Sequence, residues 1–455
     1  MIRIKNLWNR PVLEGFLVEV TGCFQLLIHT TNKSHVYIWE NVLIYVKICV
    51  IIIQSFSLLT KDVNAMYKEI KYGIWTEYQI QAMISSNDIV AFKGKHPMLV
   101  GKKVMLKVNT NIGVSSKEIY DQELFKLDTL SNLSYRPDSM MDHTITNDLP
   151  SAFWKRMVET FDGPIGTLPH YLPYDSKKGI DKSAFWDNFL EMCEGGVGFM
   201  TLHPTASISL LELAKKCRRT PTTSRGGAIL LSDAIINNRT DNLIADNFDE
   251  ILSTMRKNRV AISIGSVFRP ATVVDALDEV HVRETQLQKA YIDIAKNHQV
   301  NVIMEGIGHI TLDSLKKYLE IINGFKTPLM PLGPIPSDNI IGFDHVSAAI
   351  GASHAASMGN VGIINSLTRE EHTGGVPSIE SIIEGLMASR TVAHCINIAR
   401  FPRLLDIEKA TSENRAKKRT CVMSGGIFDY KSDTSPDTVG CSRCSRECPL
   451  AMKEW

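Results

Sequence analysis

Residues 300–309 read VNVIMEGIGH. VNVIME is a short, unbroken, β-branched apolar run, the pattern of a strand buried on both faces. It ends on a carboxylate, Glu305. Two glycines then flank Ile307 and let the backbone turn tightly, so Glu305 and His309 can face one pocket. A carboxylate and an imidazole in that position could serve as acid and base or bind a metal.

The same rhythm recurs on either side. VMLKV (104–108), PIGTLP (164–169), GVGFMTLH (196–203), VAISIGS (260–266), PLMPLG (328–333) and NVGIINS (360–366) read as further buried strands. Longer amphipathic segments, Lys182–Cys193, Phe248–Asn258, Asp275–Asn297 and Ser378–Ile398, lie between them and read as helices. Strand, loop and helix in repeated alternation predict an α/β fold, a closed (β/α)8 barrel over residues 101–401. A doubly wound open sheet ranks second, because no G-x-G-x-x-G turn follows the first strand. The barrel demands functional residues at the C-terminal ends of its strands. His203 ends GVGFMTLH, Glu305 ends VNVIME, and His309 follows in the next loop.

A net charge of +1 on 455 residues gives no field to steer the chain to nucleic acid. Nine cysteines are too few for a disulfide scaffold of this size. Three of them crowd into the last fifteen residues, which suggests a metal centre in a reducing compartment, the cytoplasm. Val42–Leu59 is an apolar run long enough to be considered as a membrane span. Residues 1–65 nevertheless lack the glycine-punctuated rhythm downstream, and a polar helix opens at Met66. The favoured reading is a product that starts near Met66, with 1–65 a doubtful extension and no membrane attachment. Residues 66–100 form a short leading segment. From Pro402 the rhythm breaks, and 402–455 reads as a charged, mobile linker ending in a metal-binding tail.

That tail reads Cys441-Ser-Arg-Cys444-Ser-Arg-Glu-Cys448-Pro449. Closely spaced thiolates suit iron–sulfur or zinc. Three cysteines on a [4Fe–4S] cube leave one iron open, which is what S-adenosylmethionine needs for its amino and carboxylate groups. The other reading is a structural zinc knuckle with Cys421 as fourth ligand. Ser224-Arg225-Gly226-Gly227 is a candidate phosphate cradle of hydroxyl, guanidinium and open amides, with Arg269 as a second cation. Asn111 follows the first strong strand where a ligand would sit, and His372 lies in another strand-following loop. No lysine stands out at a strand end, which argues against an aldolase-type Schiff base.

Taken in order, NIG (111–113), MD (141–142), GTLPHY (166–171), TLH (201–203), SRGG (224–227), MEGIGH (304–309), LGP (332–334), FDH (343–345) and EH (371–372) resemble the thiamine-pyrimidine synthase family of radical S-adenosylmethionine enzymes. The resemblance covers about 100 to 400 and the tail. It implies a (β/α)8 barrel that rearranges aminoimidazole ribotide, a homodimer, an external electron donor, and a tail that delivers its cluster to a barrel mouth. It implies ribotide contacts from Asn111, Met141, Tyr171, His203, Ser224, Arg225, Gly226, Arg269 and Glu305, with Glu305 assisting proton transfer. His309 and His372 would hold an extra divalent metal, zinc or iron, and Cys441, Cys444 and Cys448 the cluster.

The departures from the family pattern are specific. The tail is C-x2-C-x3-C rather than C-x2-C-x4-C. The family's D-G-L-R is Ser266-Val267-Phe268-Arg269 here, an expected tyrosine is Met330, and a serine–threonine–glycine phosphate loop is His143-Thr144-Ile145-Thr146. The family's long N-terminal domain is largely missing. Changes in the pocket with the metal ligands retained favour a paralogous outcome, 5-hydroxybenzimidazole for the cobamide lower ligand. Phosphomethylpyrimidine synthesis is the alternative, and a zinc-stapled, non-catalytic or partner-dependent paralogue the rival of another class.

Overall fold

The computed structural model describes residues 77–423, 427–428, 441, 443–444 and 447–452. The apolar run at 42–59 and the start near Met66 lie outside them. Among the described residues no helix is long and apolar enough to cross a membrane.

Eight parallel strands form the barrel: β1 Lys107–Ile112, β2 Ser139–Asp142, β3 Ile165–Thr167, β4 Phe199–Leu202, β5 Ala261–Ile264, β6 Val302–His309, β7 Leu329–Ile335 and β8 Ile363–Asn365. They are hydrogen-bonded in the order β7-β6-β5-β4-β3-β2-β1-β8. An isolated parallel bridge between Leu329 and Val361 closes the ring, with Gly362 N–H donating to Leu329 O at 3.1 Å. All four residues of β4 and of β5 are buried, as strands covered on both faces require. At the far end, the antiparallel pair Val90–Phe92 and Met98–Val100 brings Phe92 onto Phe199, rings stacked 4.6 Å apart.

The outer ring comprises α1 Tyr120–Asn132, α2 Phe153–Thr160, α3 Lys182–Glu194, α4 Ile208–Cys217, α5 Arg225–Ile236, α6 Phe248–Asn258, α7 Glu279–Asn297, α8 Leu312–Ile322, α9 Asp344–Met358 and α10 Ile379–Arg400. Several starts carry the side-chain caps that helix N-termini favour: Asp181 accepts from Ala184 N–H, Asp278 from His281 N–H and Ser378 from Ser381 N–H.

Three local expectations differ from what forms. The run VMLKV does not begin a strand at Val104; β1 starts at Lys107, because Leu106 N–H is taken by Asn397 Oδ1 of α10 at 2.7 Å instead of by a neighbouring strand. Ser-Met-Met-Asp (139–142) is a barrel strand that its own residues do not announce: it is four residues long and has no β-branched side chain. Within the stretch expected as linker, Leu405–Lys418 is a helix, α11, with Asp406 and Glu408 in its first turn and Arg415, Lys417 and Lys418 in its last. That order of charge complements the helix dipole, and none of its residues is buried.

Candidate active site

The strands' C-terminal ends surround a cavity of about 1040 Å³, counting the space open to solvent. All nine expected substrate residues line it: Asn111, Met141, Tyr171, His203, Ser224, Arg225, Gly226, Arg269 and Glu305. His309 and His372 do so as well.

Glu305 is buried near the end of β6. Its Oε1 accepts the hydroxyls of Thr201 (2.6 Å, β4) and Ser263 (3.0 Å, β5), so three neighbouring strands converge on one carboxylate oxygen. Burial pushes its pKa above the usual glutamate value, while the Thr201 bond, the Arg269 charge and the Ser263 bond oppose that rise. The outcome is a carboxyl able to hold or release a proton inside the barrel.

His309 reaches the cavity because β6 does not end as a regular strand. Its register against β7 shifts between Ile307 and His309. Ile307 lies at φ 90° and Gly308 at φ 90°, the left-handed region that a β-branched residue adopts only under strain. The His309 and His372 rings stand 4.9 Å apart. Asp338 Oδ1 engages His309 Nδ1 at 2.8 Å, and Asp344 Oδ1 engages His372 Nδ1 at 2.7 Å. A carboxylate on Nδ1 fixes the ring's orientation and leaves Nε2 as the ligating nitrogen, the usual backing of a metal-binding imidazole. Among the described residues no group of three or more His, Cys, Asp or Glu side chains is spaced to hold a metal ion. The pair therefore offers two imidazole nitrogens and no third protein ligand beside them among the described residues.

The SRGG loop is the N-terminus of α5. Ser224 is its cap, accepting from Gly227 N–H at 3.1 Å, and Arg225 is exposed at its first position. Helix amides, dipole and guanidinium together suit a phosphate. Arg269 approaches from the loop after β5 and is steadied by Ser266 O at 2.7 Å. The glycines have a packing reason too: a Cβ at Gly226 would meet His203 Cε1 at 2.4 Å, and one at Gly265 would meet His203 Cδ2 at 2.5 Å.

Burial holds the neighbouring imidazoles neutral. His143 is brought down to about 4, first by burial and then by Arg225 and Arg269; His170 is brought down to about 3 by burial. His203 is lowered well below the usual value by burial, with His170 and Arg269 adding to it. Arg225 and Arg269 place two guanidinium groups on the same cavity wall.

Asn111 Oδ1 accepts from Asn109 Nδ2 at 2.9 Å, and Asn365 Oδ1 accepts from the same group at 2.7 Å. Both amide oxygens are thus occupied, which leaves two NH2 groups as donors to the cavity. Asn365, Thr201, Ser263, Asp338 and His143 were not singled out as site residues from sequence. Only the third dimension brings them to Glu305, His309 or the cavity wall.

In the tail, Cys441 is half-buried, Cys444 exposed and Cys448 buried. The donor set is all thiol and fits an iron–sulfur cluster in kind.

Comparison with known proteins gives the family. The family model described as Radical SAM ThiC family matches residues 62–454. The chain is 30% identical over 380 residues to a phosphomethylpyrimidine synthase of Thermotoga neapolitana, covering 79% of this chain and 87% of that one. It is 31% identical over 379 residues to a phosphomethylpyrimidine synthase of Methanopyrus kandleri, covering 78% and 86%. It is 28% identical over 344 residues to a 5-hydroxybenzimidazole synthase BzaA of Eubacterium limosum, covering 72% and 79%. The chain belongs to the Radical SAM ThiC family, whose chemistry rests on S-adenosylmethionine and a [4Fe–4S] cluster.

Proposed function

We propose that this chain is a radical S-adenosylmethionine carbon–carbon lyase that converts aminoimidazole ribotide into 5-hydroxybenzimidazole. The observation that carries the reading is where the departures from the family pattern fall. His143 and Met330 line the cavity, whereas Ser266, in the place of an acidic residue, is bound to Glu284 and does not line it. Cys441, Cys444, Cys448, His309 and His372 keep the family's residue types. A conserved start with an altered pocket favours an altered product. Phosphomethylpyrimidine synthesis from the same ribotide is the second reading, favoured by the two relatives of that name at 30% and 31% identity.

When bound, the cluster and S-adenosylmethionine supply a carbon radical that takes hydrogen from the ribose. The rest falls to the chain's own groups. Arg225, Arg269 and the α5 amides hold the phosphate through charge-assisted hydrogen bonds. Asn111 and Asn365 donate to ring or ribose acceptors. Met141 and Tyr171 form cavity wall, and His203 is a neutral imidazole there, so it adds no charge. Glu305 carries the proton at Oε as the ribose fragments. His309 and His372 would bind zinc or iron through Nε2 and orient the reactants. A homodimer, an external electron donor and a cytoplasmic setting complete the proposal.

The test is anaerobic turnover. The chain is reconstituted with iron and sulfide, reduced, and given S-adenosylmethionine and aminoimidazole ribotide, and the products are identified by mass. A benzimidazole supports the reading; a hydroxymethylpyrimidine phosphate replaces it with the second. Zinc without sulfide in a colourless protein removes both.

A further inference from the structure

Successive peptide groups in the loop after β5 are held by side chains rather than by a neighbouring strand. Glu284 of α7 accepts the amides of Val267 and Phe268. Thr222 donates its hydroxyl to Val267 O at 2.5 Å, and Arg218 donates from Nη1 to Phe268 O at 2.7 Å. Both donors belong to the segment between α4 and α5 that runs into the Ser224–Gly227 cradle. The other edge of Arg218 meets Asp278, Nε to Oδ2 and Nη2 to Oδ1, each at 2.6 Å. That two-pronged pairing fixes the guanidinium plane. Asp278 is itself anchored as the cap of α7, accepting from His281 N–H at 2.8 Å. A third tie is steric. Val267, where the family pattern has glycine, is fully buried, and a Cβ at Gly227 would meet its Cγ1 at 2.4 Å.

The Arg218 side chain is wholly buried and does not line the cavity. Its bonds instead join the two segments that carry Arg225 and Arg269. Those two residues are like charges facing one cavity, and each sits just beyond a strand end. Without an anion between them they repel, so their separation has to be imposed from elsewhere in the fold. We infer that Arg218, braced by Asp278 and helped by Thr222, is a positioning residue that holds Arg225 and Arg269 at one spacing, so that the pair acts as a single clamp on a phosphate monoester. It does so by locking Phe268 O, one residue before Arg269, to the segment that delivers Arg225. The clamp is thereby preformed, and phosphate binding does not have to order two separate arginines. The inference rests on the ribotide reading of the cavity.

The experiment uses the full chain, reconstituted anaerobically with iron and sulfide, without S-adenosylmethionine so that nothing turns over. Calorimetry measures the affinity for aminoimidazole ribotide and for aminoimidazole riboside, which lacks the phosphate. Wild type is compared with Arg218→Lys, Thr222→Val, Arg225→Ala, Arg269→Ala and the double variant Arg218→Lys/Arg269→Ala. Arg283→Ala is the control for loss of an exposed arginine elsewhere. Arg218→Lys keeps the charge and loses the fork. Thr222→Val removes one tie and leaves the buried ion pair whole, so it decides the matter if Arg218→Lys does not fold. Each of the two weakens ribotide binding about tenfold or more, the worth of one hydrogen bond to a charged group, while riboside binding stays as in wild type. The control binds both ligands as wild type does. In the Arg269→Ala background the loss from Arg218→Lys vanishes, because the two residues act as one unit. Equal losses for ribotide and riboside reduce Arg218 to a support of the fold and overturn the inference, and additive losses in the double variant do the same. So does unchanged ribotide affinity in folded Arg218→Lys, or in Thr222→Val where the former does not fold. If Arg225→Ala and Arg269→Ala bind ribotide as wild type does, the phosphate-cradle reading itself falls, and the inference with it.

Discussion

Ser266 donates its hydroxyl to Glu284 Oε2 at 3.0 Å, tying the loop after β5 to helix α7. The same carboxylate accepts the Thr205 hydroxyl at 2.9 Å and the amides of Val267 at 2.5 Å and Phe268 at 2.7 Å. Burial raises its pKa, and these donors oppose the rise. Arg269 is the next residue along. Glu284 therefore acts through the loop, as a positioning residue that decides where the guanidinium enters the cavity.

Glu284→Gln keeps the shape but replaces one accepting oxygen by a donor. Buried donors left without a partner cost about 1–3 kcal/mol of stability. The loop that holds Arg269 loosens, so the ribotide KM rises more than kcat falls. Thermal melts and steady-state kinetics check both parts, and an unchanged KM would remove the positioning role.

Thr201→Val takes away the 2.6 Å donor that favours the ionised Glu305. The carboxyl pKa, already raised by burial, moves further up. If Glu305 acts as a base, activity is lost as pH falls through that pKa, so the acid limb of kcat/KM shifts to higher pH. A pH–rate profile of the two proteins decides it; coincident acid limbs would take Glu305 out of the proton step.

His170 bears on acid stability. Its pKa is about 3 in the fold against 6.5 ordinarily, and neither ring nitrogen makes a hydrogen bond of normal geometry, although the Gly226 backbone lies alongside. The unfolded chain binds a proton here below pH 6.5 that the native state refuses. The stability this group contributes is present above 6.5 and is lost as pH falls from 6.5 towards 3. Wild type should therefore lose Tm on acidification faster than His170→Phe over that window, and parallel curves would contradict the assignment.

Asp344→Asn and Asp338→Asn probe the imidazole pair without touching it. If His309 and His372 bind metal through Nε2, loss of either backing carboxylate weakens that binding about 10–100-fold. Zinc titration against a coloured chelator reads this in the absence of turnover. Affinity equal to wild type in both variants would mean that the carboxylates do not serve a metal.

The barrel was legible because its strands are buried on both faces, and such strands must be written as short apolar runs whatever surrounds them. Glu305, His203 and His309 were legible for a related reason: a polar side chain ending such a run has nowhere to sit but the mouth. The Ser139–Asp142 strand was not, since four residues without β-branching hold as a strand only through pairing with β1 and β3. Thr201 and Ser263 read as ordinary strand residues, and their aim at Glu305 depends on the stagger of three strands.

By itself, then, the order of residues determined the alternation of strand and helix, the polar residues at the strand ends and the thiol character of the tail. Each follows from local burial pattern or from ligand chemistry within a few positions. Tertiary structure alone decided which carboxylate backs which imidazole and that Ser266 serves Glu284 rather than the cavity. Those pairings link residues 18 to 29 apart, as Ser266–Glu284, His372–Asp344 and His309–Asp338 do, so no sequence period encodes them. Only chain closure around the barrel creates them.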